Sequence, residues 1–171
     1  MKLFWSLIVC VSTLFSGELS FTSIQSDFTQ KVTSPEGSIL EYQGTFYARD
    51  DNRALWVYTK PITKKIYFLP GRVMIVEPDL EQVIISTLDK TPNLSKLLSE
   101  AKKTSDNAYE AHFGETTYHI TTKEGVPESI YYLDKLENKV QIILKEVTTN
   151  LILDNVLFTM QIPSHYDVIN Q

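Results

Sequence analysis

Between residues 38 and 87 apolar residues come in short runs, and residues 38–49, 54–59, 65–69, 73–76 and 82–87 are rich in β-branched and aromatic side chains. Such runs predict strands, because β-branched and aromatic side chains pack well on a pleated surface. Turn formers separate them at Pro35-Glu36-Gly37, Asp50-Asp51-Asn52, Pro70-Gly71 and Glu77-Pro78-Asp79, at the short intervals that hairpins need. Two stretches depart from this pattern. Phe21, Ile24 and Phe28 recur at i, i+3 and i+7, which predicts a short helix leading into residues 28–33. In residues 91–103, Leu94, Leu97, Leu98 and Ala101 share one helical face while Lys96, Glu100, Lys102 and Lys103 take other positions. Thr91 suits the N-cap of this second helix, Pro92 its first position, and the closing lysines the negative end of its dipole. Further strands are expected at 109–113, 117–122, 129–133, 140–147 and 156–162, with turns at Gly114, Gly125 and Glu137-Asn138.

Roughly ten short strands with two isolated helices describe a mainly β domain, a large antiparallel sheet that curls towards a barrel to manage its edges. The helices, needing somewhere to bury their apolar faces, are expected across its mouth, so that a cavity with a lid results.

The first seventeen residues read differently. Lys2 precedes the apolar run 3–15, and Ser16 and Gly17 follow it, the layout of a cleaved secretory signal. The run is short for a bilayer span, and a buried N-terminal helix is the alternative. The expected organisation is therefore a signal peptide at 1–17 and one domain at 18–171. Cys10, the only cysteine, lies in the middle of the run after Val9, not at its end after small residues where lipidation would need it. The mature chain then has no thiol and no disulfide, and its stability must come from its core.

Composition narrows the function classes. With 171 residues, 43% hydrophobic and 22% charged, the chain is neither disordered nor low in complexity. Its formal charge is −5, and removal of the signal leaves 15 basic against 21 acidic residues, a charge of −6. No basic excess exists to neutralise phosphates, so nucleic acid is not expected as a partner.

Catalytic motifs are missing: there is no phosphate-cradling glycine loop and no G-x-S-x-G. His112, His119 and His165 are the only histidines. The first two flank Glu115, but strand histidines are usually packing residues and the spacing matches no zinc signature, so no metal or cofactor is expected. Asp50, Asp51 and Glu110 could serve as acid and base, although carboxylates clustered in turns are usually solvated. Asn93-Leu94-Ser95 matches a glycosylation sequon inside an expected helix.

The stretch Phe28-Thr29-Gln30-Lys31-Val32-Thr33, followed by Gly44, Trp56, Pro61 and Glu77-Pro78-Asp79-Leu80-Glu81-Gln82-Val83, resembles the LolA family of periplasmic lipoprotein carriers. The likeness covers residues 20–100 best, and residues 158–163 are similar to the family's closing strand and proline. It implies an unclosed β-barrel capped by lid helices, whose hydrophobic cavity receives the acyl chains of lipoproteins bound for the outer membrane. Phe28, Tyr47, Trp56, Tyr58, Leu94, Leu97 and Leu98 are then candidates for cavity and lid, with ordinary core packing as the other reading of the same side chains. Gln30, Gly44, Pro61, Pro78, Glu81 and Gln82 carry the family pattern. The family usually has an Arg-Pro pair after the Gly44 strand, whose arginine is thought to hold the lid closed. Asp50-Asp51 stands there in this sequence, so Arg49 and Arg53 become the candidate latches, with a solvated turn of mixed charge as the alternative.

The resemblance implies a monomeric, non-enzymatic periplasmic carrier. Its implied partners are lipoproteins, an inner-membrane ABC transporter of the LolCDE type and an outer-membrane acceptor such as LolB. A LolB-like acceptor shares the fold, but would need its lipid-anchoring cysteine at the mature N-terminus. A lipid-binding sensor, or an enzyme acting on lipid or cell-wall material, could use the same cavity.

Overall fold

The structure is a computed structural model that describes residue 19, residues 21–87 and residues 94–171. The expected signal segment with Cys10, and Thr91, Pro92 and Asn93 at the start of the second expected helix, lie outside the described residues.

One sheet dominates. Its first half is a run of hairpins, β1 (Ser23–Thr33), β2 (Ile39–Arg49), β3 (Ala54–Lys60), β4 (Lys64–Leu69), β5 (Arg72–Glu77) and β6 (Gln82–Thr87). An α-helix, α1 (Leu94–Glu100), then carries the chain to the far edge. The sheet resumes as β7 (Lys102–Ser105), β8 (Ala108–Phe113), β9 (Thr116–Lys123), β10 (Val126–Leu133) and β11 (Lys139–Thr149). β11 returns to the centre and pairs antiparallel with β1. The last strand, β12 (Asp167–Asn170), runs parallel to β6, and the full order is β12-β6-β5-β4-β3-β2-β1-β11-β10-β9-β8-β7. β12 and β7 are its two edges, so the barrel is unclosed.

The curl follows from two contacts. α1 touches both β2 and β8, which lie five strand spacings apart, about 24 Å along a flat sheet. Seven helical residues span only about 10 Å. The sheet must therefore fold round the helix, and the helix occupies its concave side. Alternation sorts the side chains: Ala54, Trp56 and Tyr58 of β3 join the inner core with α1, whereas Leu55 and Val57 join a second cluster on the outer face. That second cluster is roofed by the chain after β11, where Leu153, Leu157, Phe158, Met160 and Tyr166 cover Tyr67, Met74, Val76 and Val83.

Three expectations are corrected. The opening helix at Phe21, Ile24 and Phe28 is a strand: Ile24 and Phe28 are an even number of residues apart and therefore also share a strand face. Ser26, buried between them at 1% exposure, is the inward residue whose polarity hid the alternation. The second helix stops at Glu100, and Lys102 and Lys103 belong to β7, paired with Glu110 and Tyr109. Residues 156–162 form no strand. Residues Asn155–Phe158 make a 3-10 turn whose N-cap Asp154 accepts from the Val156 N–H at 2.8 Å, and the apolar side chains there serve as the outer roof. Among the described residues one α-helix thus stands where two lid helices were expected.

Candidate functional site

The inner face is built from strand positions that register brings opposite one another. Phe28 of β1 faces Gly44 of β2 and Leu144 of β11, and Gly44 faces Tyr58 of β3. With no side chain at Gly44, the Phe28 ring meets Tyr58 edge-on at 5.1 Å and Trp56 at 4.8 Å. Phe46 packs against Trp56 at 4.4 Å. Across the cleft, Tyr118 and Tyr132 are in contact at 4.6 Å. Leu94, Leu97 and Leu98 of α1 are buried on this lining at 5%, 5% and 2% exposure.

Six of the seven expected cavity and lid residues are therefore brought together. Tyr47 is set apart: an odd position on β2 sends it to the outer cluster. The lining also includes residues that sequence reasoning passed over, among them Tyr118, Ile120, Ile130, Ile142 and Leu144. Alternation along β9 was the signal that could have found Tyr118 and Ile120, whereas a bulge between Pro127 and Ser129 interrupts it in β10 and the run Ile142-Ile143-Leu144 masks it in β11.

One end of the inner face is polar. The Tyr58 hydroxyl donates to Oε1 of Gln30 at 3.0 Å. Lys64 holds its ammonium 4.7 Å above the Tyr58 ring and 5.7 Å from that of Tyr42. Burial, followed by the neighbouring Tyr132 and Tyr42 phenols, pushes the Tyr58 hydroxyl well above its ordinary pKa of 10. Tyr132 is pushed up likewise by burial, then by Tyr118 and Asp134. Both phenols thus stay uncharged at this end of the lining.

At the other end α1 closes the groove. A cavity of about 90 Å³ remains there, lined in part by Phe21, Ile24, Ala48 and Leu98. That is room for roughly half a dozen waters.

Both candidate latches sit at the β2–β3 turn, where Arg49 also lines the cavity beside α1 together with Leu98 and Ser99. Arg49 pairs with Asp51, donates to the Leu153 carbonyl at 3.1 Å and to Oδ1 of Asn155 at 2.8 Å, and lies 5.3 Å from the Phe158 ring centre. Its described contacts therefore bind the outer roof to the end of β2. Arg53 pairs with the same Asp51. The Arg49 hydrogen bond holds the Asp51 carboxyl below its ordinary value of 3.8 against the opposing effect of burial, with the charges of Arg49 and Arg53 adding to it.

The family-pattern residues are structural in placement. Pro61 follows a cis peptide bond in the β3–β4 turn. Pro78 opens a 3-10 turn closed by Glu81, which is left-handed at φ 50° and whose carbonyl accepts from Asp167 at 2.8 Å. Gln82 donates to Glu77 and pairs with Asp167 at the start of β12. On the outer face of the other half, His119 lies 3.2 Å from Glu110 and His112 shares a hydrogen bond with Thr117. Among the described residues no three His, Cys, Asp or Glu side chains cluster as metal ligands.

Comparison with known proteins agrees with this architecture. A crystal structure of a LolA superfamily protein from Nitrosomonas europaea superposes with a TM-score of 0.51 at 9% identity, over 84% of this chain and 92% of that one. An uncharacterized conserved protein from Thermus thermophilus gives 0.55 at 12% identity, over 90% and 93%. These share the fold. By sequence, the outer-membrane lipoprotein carrier protein of Wolinella succinogenes is 38% identical over 89% of each chain, and that of Campylobacter jejuni 36% identical over 98% of each. The family model described as outer membrane lipoprotein carrier protein LolA matches residues 20–123. With the aromatic-lined half-barrel, the docked helix and these sequence matches, the chain belongs to the LolA family.

Proposed function

We propose that this protein is a periplasmic carrier that takes up lipoproteins released from the inner membrane, shields their acyl chains on its inner face and delivers them to the outer membrane. The observation that carries this reading is the docking of α1: a helix of only seven residues, held to an aromatic-lined groove by leucines, can lift away and uncover apolar surface. The closed arrangement leaves about 90 Å³ beside α1, far short of an acyl chain of about fifteen methylenes. Loading therefore requires the helix to move, and the acyl chains replace the contacts it gives up.

The energetics demand help. Three such chains at about 0.8 kcal/mol per methylene hold a lipoprotein in a bilayer by on the order of 35 kcal/mol. Non-covalent affinities saturate near about −18 to −21 kcal/mol, so a driven extraction step must supply the difference. We assign that step to an ABC transporter of the LolCDE type and the receiving step to an outer-membrane acceptor such as LolB. In this scheme the protein has no catalytic role, carries a cleaved signal at 1–17 and shuttles as a monomer.

The test is release from spheroplasts. The protein, purified from the periplasm without detergent, is mixed with inner-membrane spheroplasts, and lipoprotein in the soluble fraction is followed. ATP-dependent release as a one-to-one complex is expected. No release would overturn the carrier reading and move weight to an acceptor, sensor or enzyme on the same fold.

A further inference from the structure

The two ends of the half-barrel differ. Strand directions place the β1–β2, β3–β4, β5–β6, β8–β9 and β10–β11 turns at one end, and adjacent tips are two strands, about 10 Å, apart. Four of these five tips expose a large apolar side chain, Ile39 at 57%, Ile62 at 45%, Leu80 at 65% and Leu136 at 75%, and the β8–β9 turn, Gly114-Glu115, does not. At the opposite end, where α1 closes the groove, the hairpin turns Asp50-Asp51-Asn52, Pro70-Gly71, Asp106-Asn107 and Glu124-Gly125 expose no large hydrophobic residue, and the exposed apolar side chains there are Leu151 and Ile152, just past β11. Turns are ordinarily polar, so four apolar tips on one rim are a pattern that folding does not explain.

Charge separates the tips. Residues 60–65 read Lys-Pro-Ile-Thr-Lys-Lys, with no acid in a chain of net charge −5, and of its cations Lys64 turns in over Tyr58 and Tyr42; around Leu136, Lys135 and Lys139 stand with Asp134 and Glu137, and Ile39 lies between Glu36 and Glu41. Leu80 stands apart among Glu77, Asp79 and Glu81. A second copy of the chain would need a contiguous patch of about 800 Å² on each partner. Isolated side chains with polar turns between them do not provide one. They suit a surface into which each can dip independently while lysine stems extend to phosphate level.

We infer that this open rim, centred on Ile39 with Ile62 and Leu136 to either side, is a contact surface for a phospholipid bilayer. The exposed tips enter the headgroup region, the lysines meet anionic phosphates, and the open end of the aromatic groove faces the lipid. The acidic Leu80 tip lies at the margin of this contact. Interfacial contact of this kind is reversible, since a few partly inserted side chains bind far more weakly than one acyl chain.

Vesicle flotation tests this without any lipoprotein, so its failure is distinct from failure of the carrier reading. The purified protein is floated with vesicles of phosphatidylethanolamine and phosphatidylglycerol, and separately with phosphatidylcholine alone. Expected is flotation with both, stronger with the anionic mixture, and a loss of roughly tenfold in I62D and again in L136D. V156D is the control, because Val156 is equally exposed at 75% but lies in the outer roof. All these positions are on the surface, and an unchanged circular dichroism spectrum checks folding. Wild-type protein that stays in the aqueous fraction, I62D and L136D that float undiminished, or V156D that falls as far as they do would each overturn the inference. The first two results would leave the rim as a surface for a protein.

Discussion

Phe28 and Tyr58 meet edge to face at 5.1 Å above the backbone of Gly44, which pairs with both of them from the strand between. The glycine is what lets two strands separated by a third share an aromatic cluster. A Cβ built on it would fall 1.9 Å from the Val57 carbonyl oxygen and 3.0 Å from the Phe28 ring. Because the nearer obstacle is backbone, side-chain rearrangement cannot relieve it.

Gly44→Ala is therefore expected to destabilise the fold by about 2–4 kcal/mol, at the upper end of what overpacking costs. Urea unfolding followed by tryptophan fluorescence measures it, since Trp56 lies in the same cluster. A loss under about 0.5 kcal/mol, the range of an ordinary surface change, would refute the close-approach argument.

Replacing Leu97 and Leu98 together with asparagine removes buried contacts that hold α1 to the sheet. The twelve-stranded ladder does not depend on them. Secretion and the β-type circular dichroism spectrum should persist, while protease cleavage near residues 94–100 rises and acceptance of acylated protein falls. A folded double variant that accepts lipoprotein normally would remove the lid role from α1.

The Arg49–Asp51 pair makes a pH prediction. Asp51 has a folded-state pKa below its ordinary 3.8, so its contribution to stability is complete above that value and is lost as pH falls through the lower folded one. Asp51→Asn should lower the melting temperature modestly at pH 7, and the gap to wild type should close as pH drops from about 4 towards 2. A gap that stays constant over this range would show that the carboxylate's charge is not what secures the turn. The same variant should loosen the outer roof, because Arg49 holds residues 153 and 155.

Tyr58 and Tyr132 act at the alkaline end. Burial raises both phenols above the ordinary value of 10, so the stability they contribute is intact below about pH 10 and is lost as pH rises through the folded-state values. Absorbance at 295 nm should show two tyrosines ionising only with unfolding. Tyr58→Phe should lessen the alkaline loss of stability, while costing about 0.5–1.5 kcal/mol at pH 7 for the bond to Gln30. A Tyr58→Phe variant with an unchanged alkaline transition would contradict this assignment.

Much of this protein was determined by its sequence alone. Runs of β-branched and aromatic residues between turn formers mark β2 to β6 and β8 to β11 within a few residues, because such side chains suit a pleated, half-buried surface. The Leu94, Leu97 and Leu98 stripe marks α1, and the run from Phe28 through Val83 carries the family pattern. Tertiary structure decided the rest. Whether Ile24 and Phe28 belong to a helix or to the central strand turned on Ser26, a polar residue that becomes an inner-face position only once β11 returns to pair with β1. Residues 156–162 have strand composition, yet no neighbouring strand offered them a ladder, and they became a roof on the outer face. Arg49 and Tyr47 were legible as residues but not as positions: which side of β2 each one faces depends on how the sheet curls. Local sequence fixes periodicity and turns, whereas the partner a face meets is set by contacts between residues more than a hundred apart, and no short window of the chain contains both members of such a pair.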